Sequence, residues 1–178
     1  MITIVTGGAR SGKSEYAENI YAHTDDVCYI ATAIVSDEEM HTRVELHRES
    51  RNQKWRTFEG YKNLDSAVGD EKNYLLDCMT VMASNIMFDI SKDEEHFTRD
   101  LIKKIEDAIY FEMKKLIDKI KSEGKNLVIV TNEVGSSIVP ENKIARNYRD
   151  IIGRTNRRVA ELCDEAYLIV MGYEVKLK

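Results

Sequence analysis

One proline, one tryptophan and three cysteines are all that the 178 residues contain of these types. A chain so poor in proline, with 43% apolar and 32% charged residues, is neither low-complexity nor disordered. It has no apolar run near the roughly 18 residues of a membrane span. Cys28, Cys78 and Cys163 are odd in number and lie inside apolar stretches, which reads as reduced core thiols and not a disulfide frame. No cysteine or histidine spacing resembles a zinc motif. An excess of basic charge is lacking too: 26 Lys and Arg against 31 Asp and Glu give a net charge of −5. That balance argues against a protein that coats nucleic acid or an anionic membrane, so phosphate binding must come from local groups. The opening MITIVTGG has neither the cationic start nor the apolar length of a signal peptide, and the expected compartment is the cytoplasm. The length predicts one domain over residues 1–178.

Five short segments rich in β-branched or aromatic residues read as buried strands: Ile2 to Thr6, Val27 to Ala31, Tyr74 to Cys78, Leu127 to Thr131 and Ala166 to Met171. Helical spacing between them predicts an α/β fold, a mostly parallel sheet with helices on both faces. Glu174 to Leu177 can return beside the preceding strand after a turn at Gly172. Ile102, Ile105, Ile109, Met113, Leu116 and Ile120 step by three or four, which predicts a helix from about Glu94 to Glu123, with a capping box at Ser91 and Glu94 and a stop at Gly124. A second helix, about Asn142 to Cys163, places Ile144, Tyr148, Ile151, Thr155, Val159 and Leu162 on one face.

Directly after the first strand stands GGARSGKS: Gly7, Gly8, Ala9, Arg10, Ser11, Gly12, Lys13 and Ser14. It satisfies the phosphate-loop pattern G-x-x-x-x-G-K-S/T. Glycines let consecutive N–H groups converge on one anion, and the following helix presents its positive end. Lys13 reaches the β and γ phosphates and Ser14 ligates magnesium, so the segment predicts a nucleoside triphosphate site. Asp77, ending the third predicted strand, suits the carboxylate that holds the magnesium shell, or else merely caps the next helix. Glu133, in TNEVG, follows the fourth strand at the ligand crevice of such a sheet and could orient a water, a ribose or the metal, or simply close a turn. The guanine-reading N-K-x-D of regulatory GTPases is absent: Asn142-Lys143 is followed by Ile144-Ala145.

Arg43, His47 and Arg51 recur every fourth residue on a predicted helix, which sets an imidazole between two guanidiniums. A neutral histidine there can act as a nucleophile toward a phosphorus while the arginines neutralise the phosphate under attack; a solvated polar helix face would carry the same residues. His23, His41 and His96 read as surface residues.

Together, GGARSGKS, the YIAT of residues 29–32, the spacing Arg43, His47, Arg51, Trp55-Arg56-Thr57 and Glu59, LLDCMT with Asn85, and TNEVG followed by IVPEN resemble the family of bifunctional adenosylcobinamide kinases / adenosylcobinamide-phosphate guanylyltransferases of cobalamin biosynthesis. The resemblance runs in order along the whole chain. It implies a RecA-like P-loop fold and two reactions: ATP or GTP phosphorylates adenosylcobinamide, and GTP then gives GMP to adenosylcobinamide phosphate. It further implies that His47 carries the guanylyl group, that magnesium accompanies the nucleotide at Ser14 and Asp77, that Arg43, Arg51, Glu59 and Glu133 join the nucleotide contacts, and that the protein forms a homotrimer. Arg10, Asn142 and Arg146 are further candidates for contact with phosphate or cobinamide. Asn52 stands where many members have proline, and Ser136 and Ser137 replace a glycine-rich step. A P-loop kinase of another small metabolite and a nucleotide-dependent switch are the competing expectations.

Overall fold

The computed structural model describes residues 1–34, 52–92, 94 and 96–178. Its elements run β1 (Ile2–Gly7), α1 (Lys13–Ile20), β2 (Val27–Ala31), β3 (Arg56–Glu59), a 3-10 turn (Leu64–Ala67), β4 (Asn73–Asp77), α2 (Met79–Ser91), α3 (Arg99–Ser122), β5 (Asn126–Val130), α4 (Lys143–Leu162), β6 (Glu165–Val170) and β7 (Tyr173–Lys176). The strands form one sheet in the order β3-β2-β4-β5-β1-β6-β7. Every neighbouring pair is parallel except the closing hairpin, β6 with β7.

Alternation along the strands assigns the two faces. Ile2, Ile4, Cys28, Ile30, Tyr74, Leu76, Leu127 and Ile129 pack with α2, α3 and α4. The residues between them, Val5, Val27, Tyr29, Leu75, Val128 and Val130, pack with Ala17 and Tyr21 from α1 and its C-terminal cap, and with Trp55. Both faces are covered, as parallel pairing requires. All three cysteines are free and buried. Burial pushes the Cys28 thiol up to about 11 and that of Cys163 to about 12, so both stay protonated and behave as small apolar groups. Among the described residues no helix is long and apolar enough to cross a membrane.

The elements differ from the sequence reading in two places. The long helix does not begin at Glu94: Ser91 is buried at the end of α2, and α3 starts at Arg99 with the Thr98 hydroxyl accepting from Leu101 N at 3.2 Å. The apolar run Met79 to Ile90 forms a helix of its own, and the polar stretch after it is the link. The far end agrees, because Gly124 takes φ 67° and the amides of Gly124 and Lys125 bond to Lys121 O and Ile120 O in a Schellman closure. The second difference is β3, an edge strand with the sequence RTFE, which has too few apolar positions to show a period.

Order in the sheet sets the site. From β1 the chain crosses through α1 toward β2, whereas from β5 it crosses through α4 on the opposite face toward β6. The connections leaving β1 and β5 therefore diverge at the C-terminal edge, where doubly wound sheets bind ligands.

Candidate active site

The loop from Gly7 to Lys13 forms a tight concave turn at that edge. Gly12 takes φ 92° and Arg10 φ 56°, both left-handed. Ser11 N donates to Gly8 O at 3.3 Å, Tyr16 N donates to Gly12 O at 2.9 Å, and Lys13 Nζ lies back across the loop at 3.3 Å from Gly8 O. A Cβ on Gly7 would come within 2.5 Å of Ser11 Oγ and 2.6 Å of the Ile169 carbonyl oxygen, so only glycine fits. Among the described residues Ser11 Oγ is buried without a hydrogen-bond partner, as is Thr6 Oγ1. Buried polar atoms left unpaired in a glycine-lined turn suit a cradle built for an anion.

Neighbouring strands brace the cradle on both sides. Glu133 N donates to Gly7 O at 3.0 Å, and Gly172 N donates to Ser11 O at 2.9 Å. The Glu133 carboxylate closes its own loop, its Oε1 accepting from Gly135 N at 2.5 Å and Ser136 N at 2.9 Å. The turn-closing alternative read for Glu133 is the geometry found.

Asp77 ends β4 in register with Ala31 and Val130. The buried Thr32 hydroxyl locks its neighbour, donating to Cys78 O at 2.8 Å and accepting from Cys78 N at 3.0 Å, while Asn85 Nδ2 donates to Thr32 O at 3.0 Å. Thr80 joins this network to β5 and α4: its Oγ1 accepts from Asn132 Nδ2 at 2.5 Å and its carbonyl accepts from the Tyr148 hydroxyl at 2.9 Å. Burial raises the Cys78 thiol pKa and the Asp77 carboxylate raises it further, while Lys13 pulls the other way.

Other predicted residues fall elsewhere. Glu59 ends β3 beside Ala31, and with β2, β4 and β5 intervening it stands about 19 Å from β1 at ordinary strand spacing. Asn142 caps α4, accepting from Ile144 N and Ala145 N, and Arg146 donates to the carbonyls of Pro140 and Glu141. Both therefore shape the loop before α4. Arg43, His47 and Arg51 lie outside the described residues. Thr32, Thr80, Asn132 and Gly172 were not singled out as site residues from sequence. Thr32 ends the YIAT string and Asn132 opens the TNEVG string, so the signal was present, but isolated hydroxyl and amide groups carry no period or spacing that assigns them a partner.

A glycine-lined anion cradle at the C-terminal end of a central parallel strand, joined to a helix through G-K-S, defines a P-loop nucleotide-binding protein of the RecA-like α/β class. An ATPase of the type III secretion system of pathogenic bacteria shares this fold, with a TM-score of 0.59 and 11% identity over 99% of this chain and 56% of that one. The chain belongs to the CobU family, cobinamide kinase / cobinamide phosphate guanyltransferase, whose model matches residues 3–177. It is 42% identical to the bifunctional adenosylcobalamin biosynthesis protein CobU of Escherichia coli and 41% identical to that of Salmonella typhimurium, in both cases over 182 residues covering the whole of each protein. The bifunctional protein CobP of Pseudomonas aeruginosa is 31% identical over 183 residues, covering all of this chain and 98% of that protein.

Proposed function

We propose that one domain spanning residues 1–178 catalyses both reactions of its family at a shared triphosphate cradle. In the first, the aminopropanol hydroxyl oxygen of adenosylcobinamide attacks the γ-phosphorus of ATP or GTP. Its proton is lost, the β–γ bridge breaks, and a nucleoside diphosphate leaves. In the second, a neutral ring nitrogen of His47 attacks the α-phosphorus of GTP and pyrophosphate leaves. A phosphate oxygen of adenosylcobinamide phosphate then attacks the guanylyl phosphorus, which frees His47 and yields adenosylcobinamide-GDP.

The observation that carries this reading is the cradle from Gly7 to Ser14, set within a chain that matches bifunctional relatives from end to end. Both reactions move negative charge onto the β-phosphate, which departs with the α-phosphate as the nucleoside diphosphate in one case and with the γ-phosphate as pyrophosphate in the other. Backbone amides and Lys13 at one place can stabilise either. The Ser14 hydroxyl and Asp77 carboxylate form a small, hard oxygen set that suits magnesium arriving on the nucleotide, which completes its shell with phosphate oxygens and water. Among the described residues no group of three or more acidic, histidine or cysteine side chains could hold a metal ion. The bound ion would supply charge neutralisation along the triphosphate. Arg43 and Arg51 flank the phosphate under attack by His47. Assembly into trimers completes the proposal and is tested by sedimentation.

Incubation with α-labelled GTP and magnesium is expected to leave label on the protein, and His47→Ala to abolish it. Label on the variant equal to that on the wild type would refute the histidine step. Label arising from γ-labelled but never from α-labelled nucleotide would reduce the enzyme to a kinase.

A further inference from the structure

The turn between β6 and β7 is built against the phosphate cradle. Gly172 N donates to Ser11 O at 2.9 Å, and a Cβ on Gly12 would stand 3.3 Å from Gly172 Cα. Both turn residues are left-handed, Met171 at φ 54° and Gly172 at φ 84°, as two-residue hairpins require. Gly172 adopts this freely, whereas a methionine there is uncommon; asparagine or glycine is the usual occupant. Met171 is also 82% exposed, and Tyr173, the next residue of the hairpin, is 76% exposed. Two large apolar side chains thus stand exposed on a turn whose backbone is bonded to the cradle, one of them on unfavourable backbone. Such a combination is found where the surface serves a ligand.

Sheet order says which end of the ligand reaches them. Asp77 lies on the β5 side of β1, at the end of β4. Ser14 and Asp77 would hold a metal that arrives on the triphosphate, so the γ end of the triphosphate would lie on the β4 side of the cradle. The nucleoside must leave the cradle on the other side of β1, where β6 and β7 follow at about 4.8 Å per strand. A ribose and base extending from the α-phosphate cover that span. A purine presents flat, polarisable faces, to which a thioether and a phenol ring are suited.

We propose that the base of the nucleotide held by Gly7 to Ser14 packs on Met171 and Tyr173 of the β6–β7 turn, which is the base subsite for phosphoryl transfer. The inference rests on the proposed cradle and its metal donors. Its test separates base from phosphate by comparing two probes, the magnesium complexes of β,γ-imido-ATP and of inorganic tripolyphosphate. Met171→Asn keeps a residue that tolerates left-handed backbone, and Tyr173→Ala removes an exposed ring, so the paired variant should fold. The expected result is about tenfold weaker binding of the nucleotide, unchanged binding of tripolyphosphate, and in the kinase assay a raised KM for ATP at constant kcat. Equal weakening of both probes would show that the turn only props the cradle, and an unchanged nucleotide affinity would place the base elsewhere; either overturns the proposal. Lys13→Ala serves as the control and should weaken both probes. If it leaves tripolyphosphate binding intact, the cradle assignment itself fails, and the base subsite with it.

Discussion

The N-terminal ends of the strands and the phosphate cradle at the other end of the sheet treat their polar groups in opposite ways. At the N-terminal ends of the strands they are paired with one another. The Met1 ammonium donates to Lys125 O and Asn126 Oδ1, Ile2 N donates to Asp164 Oδ2 at 2.7 Å, Asn126 Nδ2 donates to Asn73 Oδ1, and Asn73 Nδ2 donates to Asp26 O. Arg56 holds Glu71 through two nitrogens and Ala67 O through one of them. At the C-terminal ends Thr6 Oγ1 and Ser11 Oγ are buried without partners, Lys13 bonds its own loop, and neither Lys13 nor Asp77 has an ion pair among the described residues. Paired groups hold a scaffold. Unpaired polar atoms in a glycine-lined turn suit a ligand.

Substitutions at the two ends should therefore fail differently, and the largest effect is expected at the cradle. Gly7→Ala forces a Cβ against the Ile169 carbonyl oxygen, and displacement of the loop by even an ångström should lower kinase kcat/KM about 100-fold. A rate within a few-fold of wild type would mean that the loop does not hold the reacting phosphates. Thr32→Val keeps the shape but strands the Cys78 N–H, with an expected loss of roughly 1–3 kcal/mol in urea denaturation. Because Thr32 fixes the residue after Asp77, kinase kcat should fall as well; a stability loss with normal turnover would separate that network from the site.

The smallest effect belongs to the paired end. Arg56 holds the Glu71 carboxyl down to about 2, well below its ordinary 4.5. A carboxylate with a depressed folded-state pKa stabilises the fold above its unfolded value and loses that contribution as pH falls through the folded one. Glu71→Gln should therefore destabilise the protein at pH 7 by about 1 kcal/mol, given the half-exposed guanidinium. Melting curves of wild type and variant should converge between about pH 4.5 and pH 2, with kinase KM and kcat unchanged at neutral pH. A change in turnover would erase the contrast between the ends.

Much of this contrast is legible in the chain, for identifiable reasons. The parallel strands β1, β2, β4, β5 and β6 announce themselves as short apolar runs within a residue of their observed ends. The cradle is legible because its chemistry needs fixed residues at fixed spacing. The clasp of Thr32 on Cys78 is not, since it joins residues 46 positions apart that only the sheet brings together. The start of α3 is not legible, because Ser91 and Glu94 have capping-box spacing while the neighbouring apolar run competes for Ser91 and wins by burying it. Glu59, which only the family resemblance singles out, ends β3 at the edge of the sheet, a placement that no apolar pattern in RTFE announces.

Lys13→Ala, assayed for both reactions on one preparation, tests most directly whether a single cradle serves both. Loss of its charge from the β and γ phosphates should lower the cobinamide kinase rate and the guanylyl transfer rate together, each by about 100-fold or more. A variant that phosphorylates cobinamide at a near-normal rate, or one that loses one activity and keeps the other, would contradict it.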